Sequence, residues 1–306
     1  MMPSKVLVTG SAGRLGREVC KALLAGGFDV RATDRVYRRE LPFALEVADL
    51  LDDTAAYRLL DGCDAVVHLA NYPHVGAISP AQRLYRENVS MDVNVFQAAV
   101  DVGVRRIVFS SSVQVFAGDR TDRWGDTTEA LRRPSCLAYL PIDGEAPICP
   151  RNAYALSKAA GEQMLRYYVA LDAELSATCV RYPFLLGERH RMWFRRHIRE
   201  HDRRGEIHGH PDEGFSYLHL ADAASLVGAI LTRQSPGYHS LCPTAPDNYV
   251  SLPIPEIIER CYPGVPLKVP AEQITSLVDT SRITKTLGWV PEHVNQFDDD
   301  EKEPDA

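Results

Sequence analysis

The chain has 306 residues, 45% hydrophobic and 25% charged, which is enough apolar material to build a core for one large or two modest domains. Its 34 basic residues face 41 acidic ones, a net charge of −7, so no overall field favours nucleic acid and no nucleic-acid partner is expected. Seven scattered cysteines with no CxxC suit reduced thiols in the cytoplasm better than disulfides or a zinc site, and no membrane-length apolar run or leader is present. Neither a metal nor a membrane partner is therefore expected.

In chain order, Lys5–Thr9 is a short β-branched run, as a buried parallel strand should be. Gly10, Gly13 and Gly16 follow, and residues 17–25 then repeat apolar side chains at helical spacing. Strand, glycine turn and helix together aim a helix N-terminus at a phosphate. Gly10 permits the turn, Gly13 lets the backbone approach a pyrophosphate, and Gly16 lets helix and strand pack closely. Residues 28–33 (FDVRAT) read as a second strand ending at Asp34, 24 positions beyond Gly10. A dinucleotide-binding unit holds the adenosine ribose with an acid there, and a carboxylate repels a 2′-phosphate, so NAD is favoured over NADP. Arg14, Arg35, Arg38 and Arg39 lie close enough in sequence to temper that preference. Residues 44–49 (ALEVAD) read as a third strand, with Asp49 placed either to reach the adenine edge or to cap a helix over 54–60.

A fourth strand is read at 65–70 (AVVHLA), and a helix at 87–102 has Val89, Val93, Phe96, Ala99 and Val100 on its apolar face. A fifth strand, 106–110, runs into Ser110, Ser111 and Ser112. The long polar stretch 118–150 is either a cover over a site or a surface excursion. A helix over 154–172 and a sixth strand over 177–182 come next. Residues 189–204 are basic but interrupted by acids and aromatics, which reads as a solvated helix or loop with the option of touching an anionic substrate. Residues 215–220 read as a strand returning to the first unit, with helices at 221–232 and 253–261 and an acidic, disordered tail at 298–306.

Tyr154 and Lys158 are spaced i and i+4, on one helix face. A free phenol, with a pKa near ~10, is a poor base at neutral pH. A neighbouring ammonium and a bound cationic nicotinamide both favour the phenolate, and the Ser112 hydroxyl, after the preceding strand, is placed to hold a substrate oxygen beside it.

Taken together, TGSAGRLG at the first turn, Asp34, HLAN at 68–71, SSSVQVF at 110–116 and YALSK at 154–158 resemble the extended short-chain dehydrogenases/reductases, the NAD-dependent epimerase/dehydratase family. RYPFLLG at 181–187, YLHLAD at 217–222 and DTSRITKTLGW at 279–289 extend the resemblance over nearly the whole chain. It implies an α/β fold, a Rossmann-type doubly wound parallel sheet over 1–180 with 215–235 returning to it. A smaller C-terminal substrate-binding domain would comprise 181–214 and 236–297. It also implies NAD as cofactor, a sugar-type small-molecule substrate and, often, a homodimer built on helix pairs. Residue by residue, Gly10, Gly13 and Gly16 match the pyrophosphate loop, with Arg14 and Leu15 beside it. Asp34 matches the ribose acid, Asp49 and Leu50 the adenine contact, and Leu69 and Ala70 the strand end beneath the cofactor. Asn88 matches a helix asparagine near the nicotinamide half, and Tyr182 and Pro183 the segment touching the nicotinamide end. Ser112, Tyr154 and Lys158 match the catalytic serine, the base and its partner.

Two departures bear on function. Family dehydratases carry Asp-Glu after the catalytic hydroxyl residue, where this chain has Val113 and Gln114, so dehydration is disfavoured. Sugar-nucleotide epimerases carry an asparagine where Phe184 stands and an arginine where Phe215 and Ser216 stand, and their second diphosphate-clamping arginine has no clear counterpart between Val265 and Asp279. The sequence thus reads as an enzyme transferring hydride between NAD and a secondary alcohol of a sugar or sugar acid. The alternatives are a nucleotide-sugar epimerase of the UDP-glucose 4-epimerase kind and a non-catalytic NAD sensor. An intact Ser112, Tyr154 and Lys158 set argues against the sensor, which needs no base.

Overall fold

A computed structural model describes residues 4–117 and 135–297, with residues 189 and 190 described by their backbone alone. The tail at 298–306 and the first part of the 118–150 stretch lie outside the described residues. Seven strands form one parallel sheet: β1 (Lys5–Thr9), β2 (Asp29–Asp34), β3 (Leu45–Val47), β4 (Ala65–His68), β5 (Arg106–Ser112), β6 (Ser176–Tyr182) and, out of sequence, β9 (Gly237–Leu241). Their spatial order is β3-β2-β1-β4-β5-β6-β9. The chain therefore reverses direction across the sheet between β1 and β4, and a ligand crevice forms beyond the strand ends at such a switch point.

Alternation along the strands divides the sheet between two cores. Val6 and Val8 of β1, Val67 of β4 and Val180 of β6 face α1 (Arg14–Ala25) and α6 (Leu220–Arg233). Leu7, Val66, Phe109 and Cys179 face the opposite way, toward α2 (Asp53–Leu60), α3 (Ala81–Asp101) and α4 (Ala153–Leu171). Both faces are buried, which is why these strands carry continuous apolar runs rather than an alternation of apolar and polar residues.

A third core belongs to the smaller lobe. Val115, Phe116, Phe194, Phe215, Tyr217, Tyr249, Ile257 and Tyr262 form its centre. It is built on α5 (Glu188–Asp202), α7 (Ile254–Cys261) and a two-stranded parallel sheet of β7 (Phe184–Leu186) and β8 (Tyr217–His219). This corrects two expectations. The apolar run at 215–220 does form a strand, but β8 pairs with β7 outside the central sheet, and it is α6 that returns to pack on α1. The strand that extends the central sheet is β9, inside the stretch expected to lie wholly in the smaller domain. The helix cap at 53–60 is also displaced, since Asp52 accepts from the Thr54 amide at 3.0 Å while Asp49 accepts from Leu51. A final helix, α8 (Ser281–Leu287), packs against α6.

Candidate active site

A cleft of about 770 Å³ opens beyond the strand ends, between the sheet and the smaller lobe. Its floor at the switch point is backbone. Gly10 has φ +67°, a conformation that costs a residue with a Cβ about 1–2 kcal/mol. A Cβ there would also lie 2.9 Å from the Ala70 amide nitrogen. At Gly16 a Cβ would lie 2.2 Å from the Gly10 carbonyl oxygen, so α1 packs against the loop only because that position is bare. Gly13 ends the loop in extended backbone and begins α1, leaving the first amides of that helix facing the cleft.

Asp34, at the end of β2, accepts from the Ala12 amide at 3.0 Å and the Val36 amide at 3.1 Å, which fixes its carboxylate at the rim of the loop. The neighbouring arginines are engaged elsewhere. Arg14 donates to the Leu185 carbonyl at 3.1 Å, and Arg35 donates to the Tyr72 hydroxyl at 2.8 Å, with its guanidinium 4.8 Å from that ring's centre. Arg38 lies 3.8 Å from Glu40. Leu15, Asp49, Leu50, Leu69, Ala70, Tyr182 and Pro183 all line the same cleft. The Tyr182 hydroxyl is buried there with no hydrogen-bond partner among the described residues, so a ligand polar group has an acceptor or donor waiting for it.

At the other end of the cleft, Ser112 closes β5 and Tyr154 stands in the first turn of α4. Asn152 places that turn: its side chain accepts from the Ala155 amide at 2.7 Å as the helix cap and donates to the Gln114 side chain at 3.2 Å. The nearby Ser112 hydroxyl favours the ionised form of the Tyr154 phenol, but burial acts more strongly and pushes the phenol up, with Glu213 and Asp92 adding to the rise. The expected depression of Tyr154 is thus absent in the chain by itself. Lys158 does not supply it, because its ammonium donates to the Asn71 side-chain oxygen at 2.5 Å, 5.7 Å from the Tyr154 ring centre.

Lys158 belongs instead to a buried polar chain behind the cleft wall. Thr9 Oγ1 accepts from the Leu69 and Ala70 amides, so its own proton goes to His68 Nδ1 at 2.7 Å. His68 then donates from Nε2 to Asp92 at 3.0 Å. The Asn71 amide donates to the same Asp92 oxygen at 3.1 Å, and its carbonyl receives Lys158. Burial brings Lys158 down to about 8, and the Asp92 charge opposes that fall.

Among the sequence-predicted site residues, Lys158 and Asn88 do not line the cleft. Asn88 is buried behind it, accepting from the Tyr72 amide at 2.8 Å and donating to Ser157 at 3.1 Å, so it ties the 71–74 loop to α4. Asn71, Tyr72, Asp92, His210 and Glu213 were not foreseen. Asp92 had a signal in the sequence, an acid four residues after Asn88 on the inward face of a helix. Phe215 and Ser216 are buried in the smaller lobe and do not line the cleft, and neither does any described side chain of α5. His210 and Glu213 occupy that wall instead.

A parallel sheet with a glycine loop at its switch point, an acid at the next strand end and a Ser-Tyr-Lys set across the crevice define a dinucleotide-binding α/β enzyme. The model of the NAD dependent epimerase/dehydratase family matches residues 6–240. The chain belongs to that family, and NAD is its cofactor. It is 37% identical over 175 residues to an NAD-dependent glucose-6-phosphate dehydrogenase of Haloferax volcanii, a match covering 55% of this chain and 63% of that relative, so less than two thirds of the relative is spanned. A UDP-glucose 4-epimerase of Corynebacterium glutamicum is 24% identical over 95% of this chain and 92% of its own. The same fold occurs in a short-chain dehydrogenase/reductase superfamily protein from Agrobacterium tumefaciens with bound NAD (TM-score 0.69, 22% identity, 96% of this chain and 94% of that one covered). No helix among the described residues is long and apolar enough to cross a membrane.

Proposed function

We propose that this protein transfers hydride between NAD and a secondary alcohol of a sugar or sugar acid, and that a sugar without a nucleoside diphosphate is its substrate. One observation carries the reading. The Ser112–Tyr154 pair shares a cleft with the glycine loop, Glu213 is close enough to act on the Tyr154 phenol and lines that cleft with His210, and among the described residues its arginines are Arg14, Arg35 and Arg38. A diphosphate brings about two negative charges, which sites meet with planar guanidinium forks. The described arginines of the cleft, Arg14, Arg35 and Arg38, lie toward the glycine loop and are committed to Leu185, Tyr72 and Glu40.

Gly10, Gly13 and the α1 amides suit the pyrophosphate, Asp34 a ribose hydroxyl, and Tyr182 and Pro183 the nicotinamide end. When bound, NAD supplies the hydride acceptor. Ser112 orients the alcohol oxygen, and Tyr154, once its own proton has gone to solvent, takes the alcohol proton. Lys158, held by Asn71, keeps positive charge behind the phenol. A homodimer is supported by exposed apolar side chains on α3 and α4, Val93, Leu156 and Tyr167. A cytoplasmic setting is supported by the seven cysteines, none of which forms a disulfide among the described residues.

NADH formation is to be measured with free aldoses, uronates and UDP-sugars at equal concentration. Free sugars or uronates are expected to reduce NAD. Turnover of a UDP-sugar to its epimer without net NADH would replace this reading with the epimerase, which the near full-length match to the Corynebacterium glutamicum relative favours.

A further inference from the structure

Away from the cleft, His197 and His201 stand one turn apart on α5, and the chain beyond that helix brings His208 onto them. One ring nitrogen of each lies within 4.8 Å of the other two. The His197 and His208 Nε2 atoms are 3.0 Å apart, and the His201 ring stacks on His208 with centroids 4.1 Å apart. We infer that His197, His201 and His208 form a binding site for a divalent transition ion of the zinc, nickel or copper class.

Several independent features support the site. Two nitrogens on one tetrahedral zinc ion lie ~3.4 Å apart, given Zn–N bonds of ~2.1 Å, so side-chain rotation alone brings the three into range. Imidazole suits this class of ions, and among the described residues no carboxylate joins the three rings as a further ligand for calcium or magnesium. The His201 Nδ1 lies 2.7 Å from the Glu206 carboxylate, which keeps the proton on Nδ1 and leaves Nε2 as the lone-pair nitrogen. A carboxylate behind a ligating histidine in this way orients the ring and raises its basicity.

The backbone holds the rings where they are. Gly205, with φ +70°, turns the chain directly after α5, and the Arg204 and Glu206 amides both donate back to the His201 carbonyl. Ile198 and Ile207, on either side of that turn, are buried in the same core. An ion here would tie the end of α5 to the segment that enters the cleft wall at His210 and Glu213.

The untagged full chain, stripped with EDTA, is to be titrated with Zn²⁺ by equilibrium dialysis and by emission of Trp193, whose ring stacks on His197 at 5.1 Å. One equivalent of Zn²⁺ is expected to bind, to change that emission and to raise Tm by mass action. His197→Gln and His201→Gln, both only partly buried, should each weaken binding at least tenfold while leaving the metal-free Tm close to that of the parent. His239→Gln, on another element, should bind as the parent does. No saturable Zn²⁺ binding by the parent, or binding that both cluster variants retain, overturns the assignment.

Discussion

The two ends of the cleft are made of different material. At the glycine-loop end the ligand-facing surface is mostly backbone, and Asp34 is fixed there by two amides from within a few residues of the loop and of itself. At the Ser112–Tyr154 end the acting groups are side chains, and the lysine behind them is held by side chains from distant parts of the sequence. Asn71 holds Lys158, Asp92 holds Asn71, and His68 spans Asp92 and Thr9. A backbone site is robust to side-chain change but intolerant of an added Cβ. A side-chain site is tunable, and it fails piece by piece.

The sharpest way to separate the ends is Tyr154→Phe. General acid–base groups contribute ~10²–10⁴ in rate, and a loss in that range is expected for sugar oxidation while NAD affinity by fluorescence titration stays within a few fold. A parallel loss of NAD binding would mean that the two ends are not independent. Next in size, Asp34→Ala should narrow the preference for NAD over NADP by ten- to a hundredfold, the ~1.5–3 kcal/mol of a hydrogen bond to a charged group. Competitive titration of both cofactors reads it, and an unchanged ratio would mean that Asp34 does not set the preference.

The smallest effect is expected from Asp92→Asn. Lys158 faces Asn71, Asp92, the Phe109 ring at 4.8 Å, the Tyr154 ring and Cys179. Asp92 opposes the burial that brings Lys158 down to about 8, so removing its charge lowers Lys158 further. A lysine is charged below its pKa, so the pH at which the ammonium is lost moves down, and the alkaline limb of the kcat profile should move down with it. A rate change with no movement of that limb would make Asp92 a packing residue only.

The contrast also explains what was legible in the sequence. The loop end could be read almost entirely, because Gly10, Gly13, Gly16 and Asp34 act through local geometry and fixed spacing. Ser112 and Tyr154 could be read from motif and order. The rest of that end depends on long-range burial. Nothing near Tyr154 in sequence announces that desolvation will outweigh a nearby ammonium, or that Lys158 will turn to Asn71. His210 and Glu213 reach the cleft through the path of the smaller lobe, which no local pattern encodes. β9 is hidden for a related reason: GYHSL is short and polar, and pairing with β6 makes it a strand.

That late strand bears on how the polypeptide is made. β6 ends at Tyr182, but its outer edge stays bare until the ribosome has produced the chain through Leu241. During that interval the nascent chain presents a fully buried strand, SATCVRY, with one row of amides and carbonyls unpaired. Such an edge is a template for pairing with other chains. A fragment cut at 180 would keep the hazard permanently, so any excised nucleotide-binding piece should extend past Leu241 to remain in solution.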